Sequence, residues 1–564
     1  MKRILFLVSL VFVFQACKQA QPPFESYEIV KNIQVENGAV VSAHALASEV
    51  GRDILVKGGN AVDAAIAVQY ALAVVYPNAG NLGGGGFMVF HSNTGENHSI
   101  DFREKAPLAA HRDMYLDSLG NAVPDWSRNG HLASGVPGTV AGTFLAHQKF
   151  GSLPMDSLIA PAIALAERGF AITPREARGL NRTADDFKKY NTQPSAFEKE
   201  GQWKEGDILI QKDLAATLRR IAEQGQAGFY GGETAALIEA EMQRGGGLIT
   251  AQDLKEYQAR EREPIVFDYK GHTIVSMGLP SSGGVMQQMM LGMLQEYPIA
   301  QYGFHSPEAV QLVTEIERRA YADRTDYMGD PDFVDVPVAQ LVDTVYLRSR
   351  MENFDPAMAT PSDSIAAGLS PVEKEETTHL SVVDAMGNAV SLTTTINGSY
   401  GSRVVVGGAG FILNNEMDDF SAKPGAPNKF GLLGTQANAI APSKRMLSAM
   451  TPTIVLKNER PYLVLGTPGG STIITSVFQT LVNILEFDLS TEQAVNAPKF
   501  HHQWQPDLIY VEEGFPQESR DALEAKGYTF KERGAIGRTE VIKITPDGIE
   551  AVGDDRGDDS AAGY

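Results

Sequence analysis

Cysteine is nearly absent: Cys17 is the only one in 564 residues, so the chain forms no internal disulfide and no Cys-based zinc cluster. Positive charge is also scarce. Against 69 Asp and Glu stand 48 Lys and Arg, a formal net charge of −21. A surface of that sign repels phosphate backbones, which excludes nucleic-acid binding by bulk electrostatics. Beyond residue 17 no apolar run is long enough to span a membrane, and no internal repeat is present. The 55 glycines follow no collagen-like period and mark tight turns and close backbone approaches. With 43% hydrophobic and 21% charged residues the chain can bury a large core. Its length corresponds to several domains of about 150 residues or to one large α/β unit.

The first residues form a unit of their own. Lys2 and Arg3 precede the apolar run 4–14, broken only by Ser9, which is too short for a transmembrane helix and fits a signal-peptide core. Phe14-Gln15-Ala16-Cys17 looks like a lipobox with an unusual Gln. The expectation is therefore a lipoprotein signal peptide over residues 1–16 and lipidation of Cys17. An ordinary secretory signal with an incidental cysteine is the alternative, disfavoured because an unpaired thiol is a liability outside the cell. Arg556-Gly557-Asp558 matches an adhesion tripeptide, but three residues in an Asp-rich tail carry no function by themselves.

Periodicity predicts a buried helix over 60–75 with Asn60 as cap, and a helix through Glu167 that Gly169 ends. Further helices are expected over 213–223, after the capping pair Thr250 and Asp253, and from Ser306-Pro307 through Arg324. Hairpins are expected at 265–277, 378–396 and 453–465, the last leading into Gly466-Thr467-Pro468-Gly469-Gly470-Ser471 and a helix over 472–485. Residues 355–376, with three prolines and an acidic end, read as an exposed linker. Helices on either side of antiparallel hairpins point to layered sheets covered by helices, not to a dinucleotide fold.

Several short motifs invite a chemical reading. Gly83 to Gly86 lacks the spacing of a phosphate loop and reads as a structural turn; His501-His502 reads as core packing or hydrogen bonding rather than metal binding. At Glu376-Thr377 an acidic linker runs into a strand. Cutting the chain there would give Thr377 a free α-amine, a base titrating at about 7.7–8.0, beside its own hydroxyl. Two β-branched residues opening a strand are the plainer alternative. Gly469-Gly470 at a helix start can present N–H groups to an oxyanion, or form an ordinary turn. Arg103 suits a carboxylate, or a salt bridge with a neighbouring acid. Residues 414–419 concentrate carboxylates able to hold an ammonium, or form a polar turn.

Taken together, DFREKAP, ASGVPGTVAG, TTHLSVVD, NNEMDDFSAKPG, GTPGGS, APKFHHQW and the terminal AGY give a specific resemblance over nearly all of residues 30–564. The chain closely resembles the γ-glutamyltransferase (glutathione hydrolase) family of N-terminal nucleophile hydrolases. The resemblance implies an α/β fold, a four-layer αββα sandwich with antiparallel sheets and two subunits from one precursor. It places a cut between Glu376 and Thr377, giving associated subunits of residues 17–376 and 377–564. It also implies Thr377 as nucleophile, Thr395 as its orienting partner, and Gly469 and Gly470 as the oxyanion hole. Arg103 and Ser448 match residues that bind the donor α-carboxylate; Asn397, Glu416 and Asp419 match those that hold its α-ammonium. The implied reaction transfers the glutamyl group of glutathione or related donors to water or to an amino-acid or peptide amine. No cofactor and no metal are implied, and the membrane is met only through a lipid anchor at Cys17, in a bacterial periplasm or outer membrane.

Two positions depart from the family pattern. Ser448 is followed by Ala449 where a second serine is common, a lost donor worth roughly 1–3 kcal/mol if nothing replaces it. In the segment matching the lid loop, 424–435, Phe430 replaces an aromatic hydroxyl. Two other readings remain: a related acylase of the cephalosporin or poly-γ-glutamate type, and an inactive surface-binding protein on the same scaffold.

Overall fold

Strands Thr377–Val383 and Ala389–Thr395 pair antiparallel across the turn 384–388. Asp384 makes that turn: its Oδ1 accepts from the amides of Met386 (2.9 Å) and Asn388 (3.0 Å). The computed structural model describes residues 22–24, 26–365, 377–421 and 436–564. In it this hairpin is the centre of a seven-stranded sheet. On one side lie Ala39–Ser42 and Ser560–Gly563, on the other Gly85–His91, Asn97–Asp101 and Arg260–Arg262. A second seven-stranded sheet runs in the order Asn32–Val35, Gly548–Val552, Glu540–Thr545, Arg460–Gly466, Thr453–Lys457, His272–Ser276 and Ile265–Tyr269. Every pairing within the two sheets is antiparallel.

Alternation along the strands builds four layers. Ala39, Val41, Phe87 and Val89 of the first sheet meet Val275, Ile454, Val464 and Ile542 of the second in one apolar seam. Side chains on the opposite face, among them Val40, Leu380, Val382 and Leu392, pack under helices Ala45–Val56 and Ala61–Val75. The outer face of the second sheet, including Ile274, Val455, Leu463 and Val541, is covered by helices Gly283–Leu294, Pro307–Tyr327 and Thr472–Leu485. This is the αββα sandwich that the motifs lead one to expect.

The expected elements form where local chemistry specifies them. Asn60 caps Ala61–Val75 in a capping box with Asp63, and Thr250 caps Ala251–Glu256 with Asp253. Helix Met155–Arg168 ends at Gly169, and Ser306-Pro307 opens Pro307–Tyr327. The supposed linker differs over its first half. Thr360, Ser362 and Ile365 are buried, Trp504 Nε1 donates to the Ser362 carbonyl at 2.9 Å, and Asp507 accepts from its amide at 2.8 Å. Composition missed this because the segment docks through hydrogen bonds to distant residues rather than through apolar periodicity. Residues 366–376, with Glu376, lie outside the described residues, as do Cys17 and Phe430. Among the described residues no helix is long and apolar enough to cross a membrane.

Gly84 is fixed by sterics: a Cβ there would lie 2.0 Å from the carbonyl oxygen of Thr395. Because that neighbour is backbone in a central strand, it cannot step aside. Gly84→Ala is expected to cost about 3 kcal/mol of stability, to be measured by urea titration.

Candidate active site

Thr377 opens its strand directly opposite Thr395. It is fully buried, and its Oγ1 has no hydrogen-bond partner among the described residues. A buried hydroxyl without a partner is uncommon, but Thr378 Oγ1 shares that property. Position therefore distinguishes Thr377, at the strand start beside Thr395. The Thr395 Oγ1 accepts from the Asn397 amide at 2.7 Å, with Asn397 held at φ 67. Asn81, which local motifs did not reveal, holds this edge. Its Nδ2 donates to Thr394 Oγ1 and to the Thr395 carbonyl, both at 3.0 Å, and its Oδ1 accepts from the Gly84 amide at 3.1 Å.

Arg103 lies fully buried among acids that are remote in sequence. Its Nη1 donates to Glu416 Oε1 and its Nη2 to Asp419 Oδ2, across 313 and 316 residues. The same guanidinium donates to the carbonyls of Met446 at 3.4 Å and Leu447 at 3.3 Å. Asn397 Nδ2 donates to Asp419 Oδ1 at 3.1 Å and to the Asn415 carbonyl at 3.0 Å. Arg103, Asn397, Glu416 and Asp419 thus form one cluster. The salt bridge anticipated as the plainer reading of Arg103 exists, but mainly to distant acids. Neighbouring Glu104 is 3.8 Å from Arg103 Nη1, fully buried, with neither oxygen hydrogen-bonded among the described residues. Burial pushes Glu104 up to about 8 despite the attraction of Arg103, and burial likewise holds Glu416 well above the usual carboxylate range. Three buried carboxyl groups face one guanidinium, an excess that favours a bound ammonium.

Ser448 follows Leu447, whose carbonyl takes Arg103. Its own carbonyl accepts from the amide and the hydroxyl of Ser282 at 2.9 and 2.7 Å, while its Oγ accepts from the Met450 amide at 3.2 Å. Ala449, in the position of the missing serine, is buried in the apolar cluster over the second sheet.

Gly469 and Gly470 take φ values of 136 and 64, which L side chains rarely adopt. Among the described residues neither amide donates a hydrogen bond. The loop is braced from behind. Tyr321 donates to the Ser471 carbonyl, Ser471 Oγ donates to Gln503 Oε1 at 2.9 Å, and that oxygen is 2.8 Å from His501 Nε2. Burial lowers His501 to about 3 and His502 to about 4, so both are neutral hydrogen-bonding groups of the core. Ser381 and Ser391 reach across the sandwich to the carbonyls of Val464 (3.3 Å) and Leu465 (2.9 Å), tying the strand before this loop to the Thr377 hairpin. At Gly466 the sheets are so close that a Cβ would lie 2.3 Å from His379 Cε1.

An open cleft of about 700 Å³ is lined by Asn397, Asn415 and Asp418 together with Gly469. Its walls also carry Arg128, Arg175, Arg182, Arg403, Arg533 and Arg538. No local motif announced these arginines, because they come from four separate stretches of the chain.

Comparison with known proteins follows this geometry. Residues 47–564 match the family model described as Gamma-glutamyltranspeptidase. The chain is 47% identical over 567 residues to a glutathione hydrolase proenzyme of Escherichia coli strain K12, covering 98% of this chain and 97% of that one. A cephalosporin acylase from Bacillus halodurans superposes with a TM-score of 0.82 at 26% identity, over 97% of this chain and 99% of that one. The Helicobacter pylori gamma-glutamyltranspeptidase superposes with a TM-score of 0.57 at 44% identity, over 61% of this chain and 97% of that chain.

Proposed function

The chain belongs to the gamma-glutamyltranspeptidase family, and from that premise we propose that it is an autoprocessed γ-glutamyltransferase and glutathione hydrolase whose nucleophile is Thr377. The observation carrying the reading is the register of Thr377 against Thr395, one residue short of the turn that delivers Asn397 to the Arg103–Glu416–Asp419 cluster.

In the first step Thr377 Oγ1 attacks the Glu376 carbonyl and the peptide bond shifts to an ester, which water hydrolyses. The products are subunits 17–376 and 377–564, and a free α-amine on Thr377. That amine then takes the hydroxyl proton when Oγ1 attacks the γ-carbonyl of a donor. Thr395 orients the hydroxyl, and the amides of Gly469 and Gly470 receive the oxyanion. The amine proton passes to the leaving amine, cysteinylglycine in the case of glutathione. Water or another amine next attacks the γ-glutamyl ester and regenerates Thr377.

Donor recognition uses the charges of the cluster. Arg103 and Ser448 take the α-carboxylate; Asn397, Glu416 and Asp419 take the α-ammonium, which replaces part of the ion pairing between Arg103 and these acids. A glutaryl-type acylase substrate has no ammonium to draw the buried Glu104 and Glu416 into their ionised forms, so the cluster favours γ-glutamyl donors. Comparing turnover of γ-glutamyl and glutaryl anilides tests the reading: equal or better glutaryl turnover would sink it. The cluster also stores protons. Glu104 at about 8 is largely protonated at pH 6, whereas a bound ammonium stabilises its ionised form. The KM for a γ-glutamyl donor should therefore fall as pH rises from 6 to about 8, and Glu104→Gln should flatten that profile.

Removal of residues 1–16 and lipidation of Cys17 would anchor the enzyme in the cell envelope. The support is the apolar run 4–14 and the position of the only cysteine. Cys17→Ser should release the protein from membranes with its activity intact. Retention of that variant would require another anchor.

A further inference from the structure

We propose that the arginine-lined cleft beside Gly469 selects donors and acceptors carrying a free carboxylate on the peptide side of the scissile bond. The proposal rests on the assignment of Gly469 and Asn397 to the reacting end of the donor site. It adds what the remainder of the substrate must look like.

The cleft is an electrostatic exception in a chain of net charge −21. Among the described residues six arginines line it, against one carboxylate, Asp418. Arg128 is paired with that carboxylate at 2.9 Å, and Arg403 and Arg538 have weaker pairings at 3.5 Å to Asp186 and Asp559. Among the described residues the other three form no ion pair with a carboxylate within 4 Å, although the charge of Glu512 acts on Arg533 from farther away. Arg175 Nη1 donates to the Arg556 carbonyl at 2.6 Å, and Arg533 lies 5.6 Å over the Tyr510 ring. Arg182 is exposed and has no partner among the described residues. An adjoining cavity of about 270 Å³ shares Arg175 and Arg182 and adds Arg178, so the positive surface continues away from the reacting end. The charge on Arg403 is disfavoured first by burial, and Arg182 adds to this against the help of Asp186. Facing guanidinium groups at a cleft wall repel one another and gain from an anion placed between them.

The chemistry of the reaction identifies that anion. A γ-glutamyl group bound at Arg103 leaves its amide nitrogen pointing out of the buried cluster, and the rest of the leaving peptide must cross the open cleft. A peptide ends in a planar two-oxygen carboxylate, which matches the guanidinium fork. An amine acceptor entering the same space for transfer would be held by the same contact. Anilides and esterified peptides would forgo it.

The test compares kcat/KM for glutathione with that for its C-terminal amide, with γ-glutamyl anilide as a reference donor. Wild type should favour the free acid by about tenfold in dilute buffer, an advantage that shrinks in about 0.5 M salt, as expected for partly exposed charges. In the Arg182→Gln/Arg533→Gln double variant the ratio should fall to about twofold or less. Each single variant should lie between. Equal preference in wild type and double variant, or no preference in wild type, would overturn the proposal. Failure of wild type to turn over γ-glutamyl anilide would instead overturn the γ-glutamyl reading on which it rests.

Discussion

Thr377→Ala yields a single uncut chain with no γ-glutamyl turnover. In the proposed mechanism one hydroxyl serves both steps, first attacking the Glu376 carbonyl and later the donor carbonyl, so its loss removes processing and catalysis together. The alanine fits without disturbance, because Thr377 is fully buried and its Oγ1 makes no hydrogen bond among the described residues. The variant should therefore fold with unchanged strand pairing, and its loss of activity should exceed about 1,000-fold. Thr377→Ser retains the hydroxyl but not the β-methyl that restricts its rotation, and is expected to process more slowly while remaining active. A denaturing gel and intact mass give the result directly. Two subunits in the Ala variant would remove Thr377 from both roles.

Arg103→Lys should mature into two subunits yet turn over γ-glutamyl donors poorly. A lysine ammonium cannot bridge Glu416 and Asp419 in the fork that Arg103 makes, nor present two parallel donors to an α-carboxylate. Loss of such a charge-assisted contact corresponds to about 100-fold in kcat/KM. The fold should tolerate the change at mildly acidic pH. Glu104 and Glu416 already hold protons above their ordinary range, so a weaker cation is compensated by protonation. The sign of the pH effect follows. A carboxyl raised in the folded state binds more protons folded than unfolded, so stability falls as pH rises from 4.5 towards about 8 for Glu104. The variant raises these groups further, and its Tm deficit against wild type should widen between pH 6 and 8. A donor lacking its α-carboxylate separates binding from structure. Wild type should lose much more activity on that donor than the variant does, whereas equal losses would leave Arg103 as a structural ion pair only.

Several features were legible in the sequence because they depend on neighbours in the chain. Asn60 with Asp63 and Thr250 with Asp253 satisfy helix-end amides within one turn. Strand alternation with two-residue or five-residue turns fixed the hairpins at 265–277 and 378–396. Thr377 could be proposed as nucleophile from sequence because nucleophile and prospective base belong to one residue. The charge balance was just as plain in the composition.

Other features had no local signal, because they are created by folding. Arg103 finds Glu416 and Asp419 only when segments more than 300 residues apart are brought together at the edge of the Thr377 hairpin. The raised Glu104 carboxyl follows from burial, which composition cannot report for a single residue. Residues 360–365 look like linker yet dock through Ser362 to Trp504 and Asp507. A close approach of two sheets around His379 excludes any side chain at Gly466. The same holds for the cleft: an acidic chain gave no hint of a positive wall, since arginines from both sides of Thr377 converge there only in three dimensions. Sequence thus determined the elements and the reaction class, while tertiary structure decided which distant charges meet. Electrostatic energy depends on distance in space and on burial, and neither quantity exists until the chain has folded.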